Sequence, residues 1–413
     1  MNFELHEEIV KEMETEEPVS IVVIGTGGGG SNAVNGMIDC GIKGVKFIVV
    51  NTDSQDLRKS KADIKLQIGS QITGGRGAGG IPEIGEKAAL EDREQIAKAL
   101  EGADMVFVTA GMGGGTGTGS APIIAQIAKS QGALTVGVVT KPFDFEKSYK
   151  MDLAEKGIAR MKGEVDSLIV VPNQKLLNSG DRKTSILEAY RKADDILRQG
   201  VQGISDCIIE TGNMNIDFAD AITVMKDQGE ALMTIGYGAG ENRVEEAVSG
   251  VLDNPLLEDI SIIGATRALI YVAGGEDLPM VEYEDIVRRI TADMDKNALI
   301  IPGLYLDPGM GDQIRVTVIA TGFCSEPEAK NFKVIKPKEN DVLSDKDYNK
   351  FFTDVFAPRN IRDDYKYANE DLDVPTVIRD RRFINFSGDP SAHAVAQTAS
   401  HAAANTASNA FSN

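Results

Sequence analysis

One glycine-rich segment, residues 109–122 (TAGMGGGTGTGSAP), constrains the fold of this chain more than any other. It follows an apolar run at 105–108, which predicts a buried strand, and it precedes residues 123–128, whose apolar positions repeat at helical spacing. Ser120 is the predicted helix N-cap, with Pro122 in the first turn. Glycines let backbone N–H groups approach an anion closely, and a helix N-terminus adds partial positive charge. The order of strand, glycine loop and helix therefore predicts a phosphate-binding site, without the Lys-Ser/Thr ending of a P-loop.

A second glycine loop lies near the start of the chain. Residues 20–24 are apolar and predict a buried strand. This strand leads into GTGGGGSN at 25–32, then a predicted helix from about Ala33 to Cys40 and a second strand at 46–50. The pattern is that of a βαβ unit with its glycine loop at the carboxyl end of the first strand.

The second loop leaves two functions open. Gly25, Gly27 and Gly30 satisfy the G-x-G-x-x-G pattern, and Asp53 closes the next strand, as in a dinucleotide-binding fold. Taken alone, this segment fits an NAD-dependent oxidoreductase as well as it fits another nucleotide-binding protein. A dinucleotide site uses one such loop for one pyrophosphate, whereas two loops that face one crevice favour a triphosphate.

A third glycine-rich loop lies between these two, at residues 73–82. It is either a surface connection or a switch loop that folds over a terminal phosphate. Further apolar runs at 134–140 and 169–171 predict buried strands, with helices before and between them. Strands that alternate with helices predict an α/β fold, with a doubly wound, mostly parallel sheet as the nucleotide-binding domain.

The pattern changes after this domain. From Thr184, apolar residues recur at spacings of three and four over about seven turns, which predicts one long central helix. Strand candidates at 231–236, 266–272 and 314–320 predict a second domain of α/β (α+β) type. The predicted segments are an acidic flexible arm at 1–18, the nucleotide-binding domain at 19–183, the central helix at 184–210, the second domain at 211–323, a flexible linker at 324–370, a short separate segment at 371–386 and a low-complexity disordered tail at 387–413.

The charge balance argues against several classes of partner. The formal net charge of −20 leaves nothing to neutralise phosphates along a duplex, so neither nucleic acid nor direct membrane binding is expected. An acidic chain that self-associates has to offset like-charge repulsion, which predicts a role for Mg²⁺ or K⁺. The three cysteines are widely spaced, as in a cytosolic protein with reduced thiols. Residues 1–17 lack the features of a signal peptide, and no apolar run approaches the ~18 residues of a membrane span.

The positions of the three histidines argue against several kinds of active site. His6, His393 and His401 all lie near the chain ends, outside the segments that are predicted to fold. A Ser/His/Asp triad, a histidine general base and a histidine-ligated metal are therefore not expected. Catalysis would have to use carboxylates, amides, backbone groups and a bound ion.

The run at 113–119, GGGTGTG, is similar to the signature of the tubulin and FtsZ family of GTPases, and the similarity extends over about residues 20–323. It implies a two-domain α/β GTPase with GTP or GDP as the ligand. It also implies Mg²⁺, bound through the phosphates, whereas K⁺ is expected from the charge balance alone.

The resemblance also implies roles for individual residues. On the family pattern, Glu146 contacts the ribose, Tyr190 stacks on the base, and the Asp194 carboxylate accepts hydrogen bonds from guanine. Lys150 stands where the family usually has arginine, so it keeps the charge and loses the bidentate fork. The other residues that we expect at the nucleotide are Gly28, Gly29, Gly30, Ser31, Asn32, Asp53, Ala78, Gly79, Gly115, Thr116, Gly117 and Asn173.

The loop at 211–220 carries an amide and two acids, Asn215, Asp217 and Asp220. Spacing alone fits an Asx-turn or helix-capping acids. The resemblance implies instead a catalytic loop that enters the nucleotide site of the next subunit, where the acids polarise the attacking water. This suits phosphoryl transfer, which needs positioned water and charge neutralisation more than a covalent nucleophile. Hydrolysis is then expected to require assembly, because neither half-site is complete.

Partners and location also follow from the resemblance. The chain is expected to assemble head to tail into cytoskeletal filaments of a cell-division ring, in the cytoplasm at mid-cell. Residues 373–379, from Asp373 to Arg379, resemble the family's adaptor-binding peptide, which folds on a partner that carries the membrane anchor. Two rival hypotheses stay open: a structural filament or adaptor with little hydrolysis, and the NAD-dependent oxidoreductase.

Overall fold

The computed structural model describes residues 19–178, 185–209, 214, 216–253 and 262–323. Several predictions concern residues outside these ranges and stay predictions: Asn215, the arm at 1–18, the linker at 324–370, the segment at 371–386 with its peptide 373–379, and the tail at 387–413.

The described residues form strands that we number along the chain. Their bounds are β1 Ile21–Thr26, β2 Val45–Asn51, β3 Ile64–Gln67, β4 Met105–Gly111, β5 Leu134–Lys141, β6 Ser167–Pro172, β7 Gly229–Ala239, β8 Arg267–Gly274, β9 Leu299–Leu306 and β10 Gln313–Thr321.

The α-helices of the described residues are numbered in the same way. Their bounds are α1 Gly27–Asp39, α2 Ser54–Lys59, α3 Ser70–Thr73, α4 Pro82–Glu91, α5 Arg93–Ala99, α6 Thr116–Ser130, α7 Ser148–Glu164, α8 Asn173–Asn178, α9 Ile186–Ile209, α10 Phe218–Met225, α11 Arg243–Leu252 and α12 Met280–Thr291.

The first half of the sheet is parallel. Its strand order is β3-β2-β1-β4-β5-β6, and each neighbouring pair runs in the same direction. The sheet therefore reverses its winding between β1 and β4, and open α/β sheets bind ligands at such a point, beyond the carboxyl ends of the strands. The predicted doubly wound, mostly parallel sheet is confirmed.

The second half of the sheet is mixed and is joined to the first through a short pairing. β7 runs parallel to β6 through the pairs Ser167–Gly229 and Leu168–Glu230. Beyond it, β10 pairs antiparallel with β7 and β8, and β9 pairs parallel with β8. The order of the whole sheet is β3-β2-β1-β4-β5-β6-β7-β10-β8-β9.

Alternate residues of each central strand face the two helical layers of the parallel half. Val23 packs in the cluster that contains α1 and α9, whereas Val22 and Ile24 pack in the cluster that contains α4, α6 and α7. This alternation is the period-2 pattern of a strand that is buried on both faces. A separate cluster beneath α11 and α12 forms the core of the mixed half.

Two helices begin earlier than the sequence predicted. The helix expected from Ala33 starts at Gly27, and the helix expected from Ser120 starts at Thr116. Ser120 is not an N-cap, because its Oγ donates to the Thr116 carbonyl at 2.7 Å from within the helix. Close packing in this region outweighs the low helix propensity of glycine.

The predicted long helix is present as α9, with 24 residues that correspond to about 36 Å. It presents Ala193, Leu197, Val201 and Ile204 to the core. In the described part of the chain, no helix is both long enough and apolar enough to cross a membrane.

The contact between α4 and α6 predicts a stability difference between two glycine variants. An alanine Cβ at Gly119 would lie 1.9 Å from the Pro82 carbonyl oxygen, so Gly119→Ala has to push α4 away from α6. We expect the free energy of unfolding in urea to fall by about 1–3 kcal/mol. Gly163→Ala, in α7, is the matched control, because an added Cβ meets nothing within 4 Å there. An equal loss of stability in the two variants would contradict the packing argument.

Candidate functional site

Two helices without side-chain caps meet at the reversal point of the sheet. α1 begins directly after β1, and α6 begins a short loop after β4; neither helix has a side-chain cap at its N-terminus. Gly27 adopts a φ of 68°, and a Cβ there would lie 2.8 Å from the Gly117 nitrogen. The two glycine loops therefore touch backbone to backbone. Their first N–H groups have no partner within the helices, which makes this place suited to an anion such as a phosphate chain.

The predicted third loop closes around the start of α6. A Cβ at Gly115 would lie 2.9 Å from the Ala78 Cβ and 2.8 Å from the Ile81 nitrogen. On the neighbouring side, the hydroxyls of Thr52 and Thr116 are 2.6 Å apart. The loop that was expected either to cross the surface or to approach a terminal phosphate thus packs against the phosphate-binding segment.

A cavity of about 270 Å³ opens beside the glycine loops. Of the residues predicted at the nucleotide, it brings together Gly29, Asn32, Glu146, Lys150, Asn173, Tyr190 and Asp194. Its other lining residues are Gly111, Met112, Gly113, Gly114, Thr140, Pro142, Ala193 and Leu197.

Two polar side chains of this cavity lack protein partners. Asn173, at the start of α8, is 5 % exposed, and its Oδ1 accepts no hydrogen bond within the described residues. Asp194, on α9, also makes no hydrogen bond in this part of the chain, and burial raises its pKa to about 6. An unpaired buried acceptor is costly, so Asn173 Oδ1, with the half-buried Asp194 carboxylate in the same cavity, indicates a ligand that brings N–H or O–H donors.

One aromatic ring, that of Tyr190, lines the cavity. Tyr190 lies edge-on to Phe143, with 5.2 Å between ring centroids, and Phe143 stacks on Phe145 at the same separation. Tyr190 remains 38 % exposed, whereas Phe143 is fully buried. The phenol ring is thus held in place by its neighbours and is available to a planar base.

Glu146 and Lys150 are already paired at the rim. The Lys150 ammonium donates to Glu146 Oε2 at 2.9 Å, and the Phe143 N–H donates to Glu146 Oε1 at 3.1 Å. The glutamate is mostly buried and the lysine is half exposed. A ligand with hydroxyl and phosphate groups can engage both, since the lysine keeps two of its three donors.

The remaining predicted residues lie around the glycine loops and do not line the cavity. Ser31 is buried, and its Oγ donates to the Gly27 carbonyl at 2.7 Å. The Asp53 carboxylate caps α2, because it accepts the N–H groups of Gln55 at 2.8 Å and Asp56 at 3.4 Å. The others in this set are Gly28, Gly30, Ala78, Gly79, Gly115, Thr116 and Gly117.

The two predicted catalytic acids lie elsewhere. Asp217 is exposed and is the N-cap of α10, where its Oδ1 accepts the Asp220 N–H at 2.7 Å. The capping explanation from the sequence therefore describes Asp217 in the free subunit.

These acids lie near the amino ends of the parallel strands, whereas the cavity lies at their carboxyl ends. Phe218 and Ile222 of α10 line a second cavity together with Asp104 and Ala133, which precede β4 and β5. This second cavity is therefore at the amino ends of the parallel strands. The end of α9 is at the same edge, since a Cβ at Gly44, just before β2, would lie 2.7 Å from Ile209 Cδ1.

Sequence analysis missed several residues of the first cavity. Ala193 and Leu197 lie three residues from Tyr190 and from Asp194 on α9, so helical spacing could have placed them on the same face. Thr140 lies near the end of β5 and Pro142 directly follows the strand, where the carboxyl ends of the parallel strands meet. Met112 lies within the glycine-rich segment at 109–122, which predicted a phosphate-binding site and gave no role to this side chain.

Comparisons with known proteins agree with this geometry. The model of the tubulin/FtsZ family GTPase domain matches residues 20–181, and the model of the FtsZ family C-terminal domain matches residues 229–324.

Solved structures give the same result. An empty FtsZ dimer from M. jannaschii is 43 % identical to this chain, with a TM-score of 0.71 over 77 % of this chain and 92 % of that one. A GTPγS-bound protofilament of CetZ2 from Haloferax volcanii is 21 % identical, with a TM-score of 0.61 over 73 % of this chain and 92 % of that one. The second likeness concerns the fold alone.

The raised pKa of Asp194 predicts a pH-dependent stability difference. The folded-state value of about 6 lies above the ordinary value, so the folded chain retains a proton that the unfolded chain loses between about pH 4 and pH 6. Stability from this group is therefore lost as the pH rises through that window. We expect Asp194→Asn to raise the free energy of unfolding by about 1–3 kcal/mol at pH 8 and by much less at pH 4.

The control is Asp195→Asn. The Asp195 carboxylate accepts hydrogen bonds from Arg198 and Gln199, both at 2.6 Å, so its substitution is not expected to stabilise the chain. Urea unfolding of the unliganded variants at both pH values checks the result. A gain for Asp194→Asn that does not change with pH would contradict it.

Proposed function

Because the chain belongs to the tubulin/FtsZ family, we propose that it is a GTPase that assembles head to tail and hydrolyses GTP at the junctions between subunits. One observation carries this proposal: the cavity and the loop with Asp217 and Asp220 lie at opposite ends of the strands of the same sheet. A single subunit therefore holds two half-sites that cannot meet within it. Head-to-tail stacking of identical subunits is the arrangement that brings them together.

The nucleotide would lie across the cavity with its phosphates on the glycine loops. The N–H groups at the starts of α1 and α6 would hold the phosphates, and Tyr190 would stack on the base. The Asp194 carboxylate would accept two hydrogen bonds from guanine, which adenine cannot donate as a pair. Glu146 and Lys150 would contact the ribose and phosphate groups at the rim.

Mg²⁺ would be held mainly by the phosphates. In the described ranges, no group of three or more His, Cys, Asp or Glu side chains is placed to hold a metal ion. Mg²⁺ at nucleotides commonly uses few protein ligands and keeps several waters. The ion would neutralise charge on the phosphates, and we include K⁺ only as a further proposed ion.

Hydrolysis would depend on the acids that a neighbouring subunit supplies. Asp217 and Asp220 would orient and polarise a water against the terminal phosphate, with Asn215 as an amide partner in the same loop. The FtsZ structure from M. jannaschii is described as a dimer, which supports self-association within this family.

The cellular role follows from the family and is also proposed. The chain would form filaments of a division ring in the cytoplasm at mid-cell. Its segment at 373–379 would bind an adaptor or membrane-anchor protein of the division machinery. The family assignment favours this function over the NAD-dependent oxidoreductase. To exclude a structural filament with little hydrolysis, GTP turnover by the assembled protein has to be measured.

The variant Asp217→Asn distinguishes a catalytic role of Asp217 from its role as a helix cap. Asn is as good an N-cap as Asp, so Asp217→Asn keeps the α10 cap and removes the charge. We expect unchanged unfolding and GTP binding, with GTP turnover reduced by about 10²-fold or more. Phosphate release from assembled protein is the measurement. Normal turnover in Asp217→Asn would mean that Asp217 acts only as a cap.

A mixture of two defective variants tests whether the site is shared. Asp217→Asn retains the cavity, and Asp194→Ala retains the acidic loop, so each is expected to be nearly inactive alone. Together they should form junctions in which the loop of one variant meets the nucleotide of the other, and turnover should reappear. No recovery at any ratio, with the two variants co-sedimenting, would contradict a site built from two subunits.

A further inference from the structure

The turn between α10 and β7 is bound tightly to one buried aspartate. The N–H groups of Gln228 and Gly229 both donate to the Asp166 carbonyl, at 2.8 and 2.9 Å. The Asp166 side chain is 3 % exposed, and its Oδ2 accepts the Thr135 N–H at 2.8 Å. This attachment lies beside the short β6–β7 pairing that joins the two halves of the sheet.

Lys129 connects this aspartate to a second one in the turn. Its ammonium lies 3.0 Å from Asp166 Oδ1 and 2.8 Å from Asp227 Oδ1. Because Lys129 donates a hydrogen bond to it, the pKa of Asp227 lies below its ordinary value. Asp227 has a φ of 55°, a conformation that few residues other than glycine adopt. The ion pair therefore acts on a turn whose backbone geometry is specific.

A third contact fixes the end of α10 itself. The buried Ser167 Oγ donates to the Met225 carbonyl, the last residue of the helix, at 2.6 Å. All three contacts act at the carboxyl end of α10. Asp217 and Asp220 lie at its other end, so the direction of the helix decides where they point.

On its other flank, α10 packs through Phe218 and Ile222 against the core cluster that also contains residues of β4 and β5. A cavity of about 430 Å³ lies between Phe218 and Ile222 of the helix and the amino ends of β4 and β5. Ala221, Val224 and Met225 of α10 are buried, and the last two belong to the core cluster that also contains α9 and the central strands. The contacts at the turn therefore fix the carboxyl end of α10, and core packing together with the hydrogen bond from Thr321 Oγ1 to the Val224 carbonyl, at 2.7 Å, adds to the placement of the helix.

We propose that Lys129, Asp166 and Asp227, which we call the α10 clamp, are positioning residues that set the orientation of α10 and thereby the placement of Asp217 and Asp220 at the subunit junction. The proposal rests on the proposed function, because it assigns the clamp to the same reaction. The side chain of Asp227 is 64 % exposed, and an exposed ion pair contributes little to stability. Misplacement of a catalytic group by about 1 Å, in contrast, can reduce a rate by about 10²-fold.

Asp227→Asn is the variant that tests the clamp. Asn tolerates the left-handed backbone, and the Lys129–Asp166 pair remains, so the fold is retained. Lys129→Met is less suitable alone, because it leaves the buried Asp166 without its cation. The matched control is Asp39→Asn, whose carboxylate is 57 % exposed and pairs with Lys61 at 2.5 Å.

Two measurements separate the clamp from the proposed function. Hydrogen–deuterium exchange of the unassembled chain should show faster exchange in α10 for Asp227→Asn than for wild type or Asp39→Asn. GTP turnover per assembled subunit should fall at least about tenfold in Asp227→Asn, with GTP affinity and melting temperature unchanged. Lys129→Arg, whose fork can reach both carboxylates, should keep near wild-type turnover.

Each result has a defined meaning. Wild-type turnover that rises with assembly, together with equal turnover in Asp227→Asn, would overturn the clamp and leave the proposed function in place. Faster exchange in α10 without loss of turnover would also overturn it, because the orientation of the helix would then not matter. A wild-type chain without assembly-dependent turnover would overturn the proposed function itself, whatever the exchange of α10 shows.

Discussion

The close approach of two glycine-rich backbones determines the rest of this structure. α1 and α6 start at the carboxyl ends of β1 and β4, and glycine at position 27 lets these starts touch, because a Cβ there would lie 2.8 Å from the Gly117 nitrogen. Side chains there would push the helices apart and fill the space where N–H groups converge. The phosphate site, the third loop against Gly115, and the cavity beside them all depend on this contact.

A second constraint is that the cavity and the end of α9 lie at opposite ends of the parallel strands. Tyr190 and Asp194 lie near the start of α9, at the nucleotide edge, and Ile209 ends the helix at the opposite edge. One rigid element thus separates the two half-sites. A separation of this kind is an obstacle within one subunit and would be an advantage in the proposed filament, where every junction would become a complete site.

The sequence predicted the parts of the fold where a single pattern dominates. The central strands are continuous apolar runs because both faces are buried, and α9 has a regular apolar stripe. The strands that were missed, β3 and β9, are the two edges of the sheet, and their half-exposed residues give no such run. The early starts of α1 and α6 were missed because glycine has low helix propensity, and only tertiary packing makes these residues helical.

The candidate site was predictable to a similar extent. Glu146, Asn173 and the α9 residues Tyr190 and Asp194 come from three separate segments, and a resemblance to a family could place them together where spacing could not.

The most direct test of the account is GTP turnover per subunit across a dilution series of the wild-type chain. A shared site predicts negligible turnover below a threshold concentration and a steep rise above it. Turnover per subunit that stays constant on dilution would contradict a site shared between subunits.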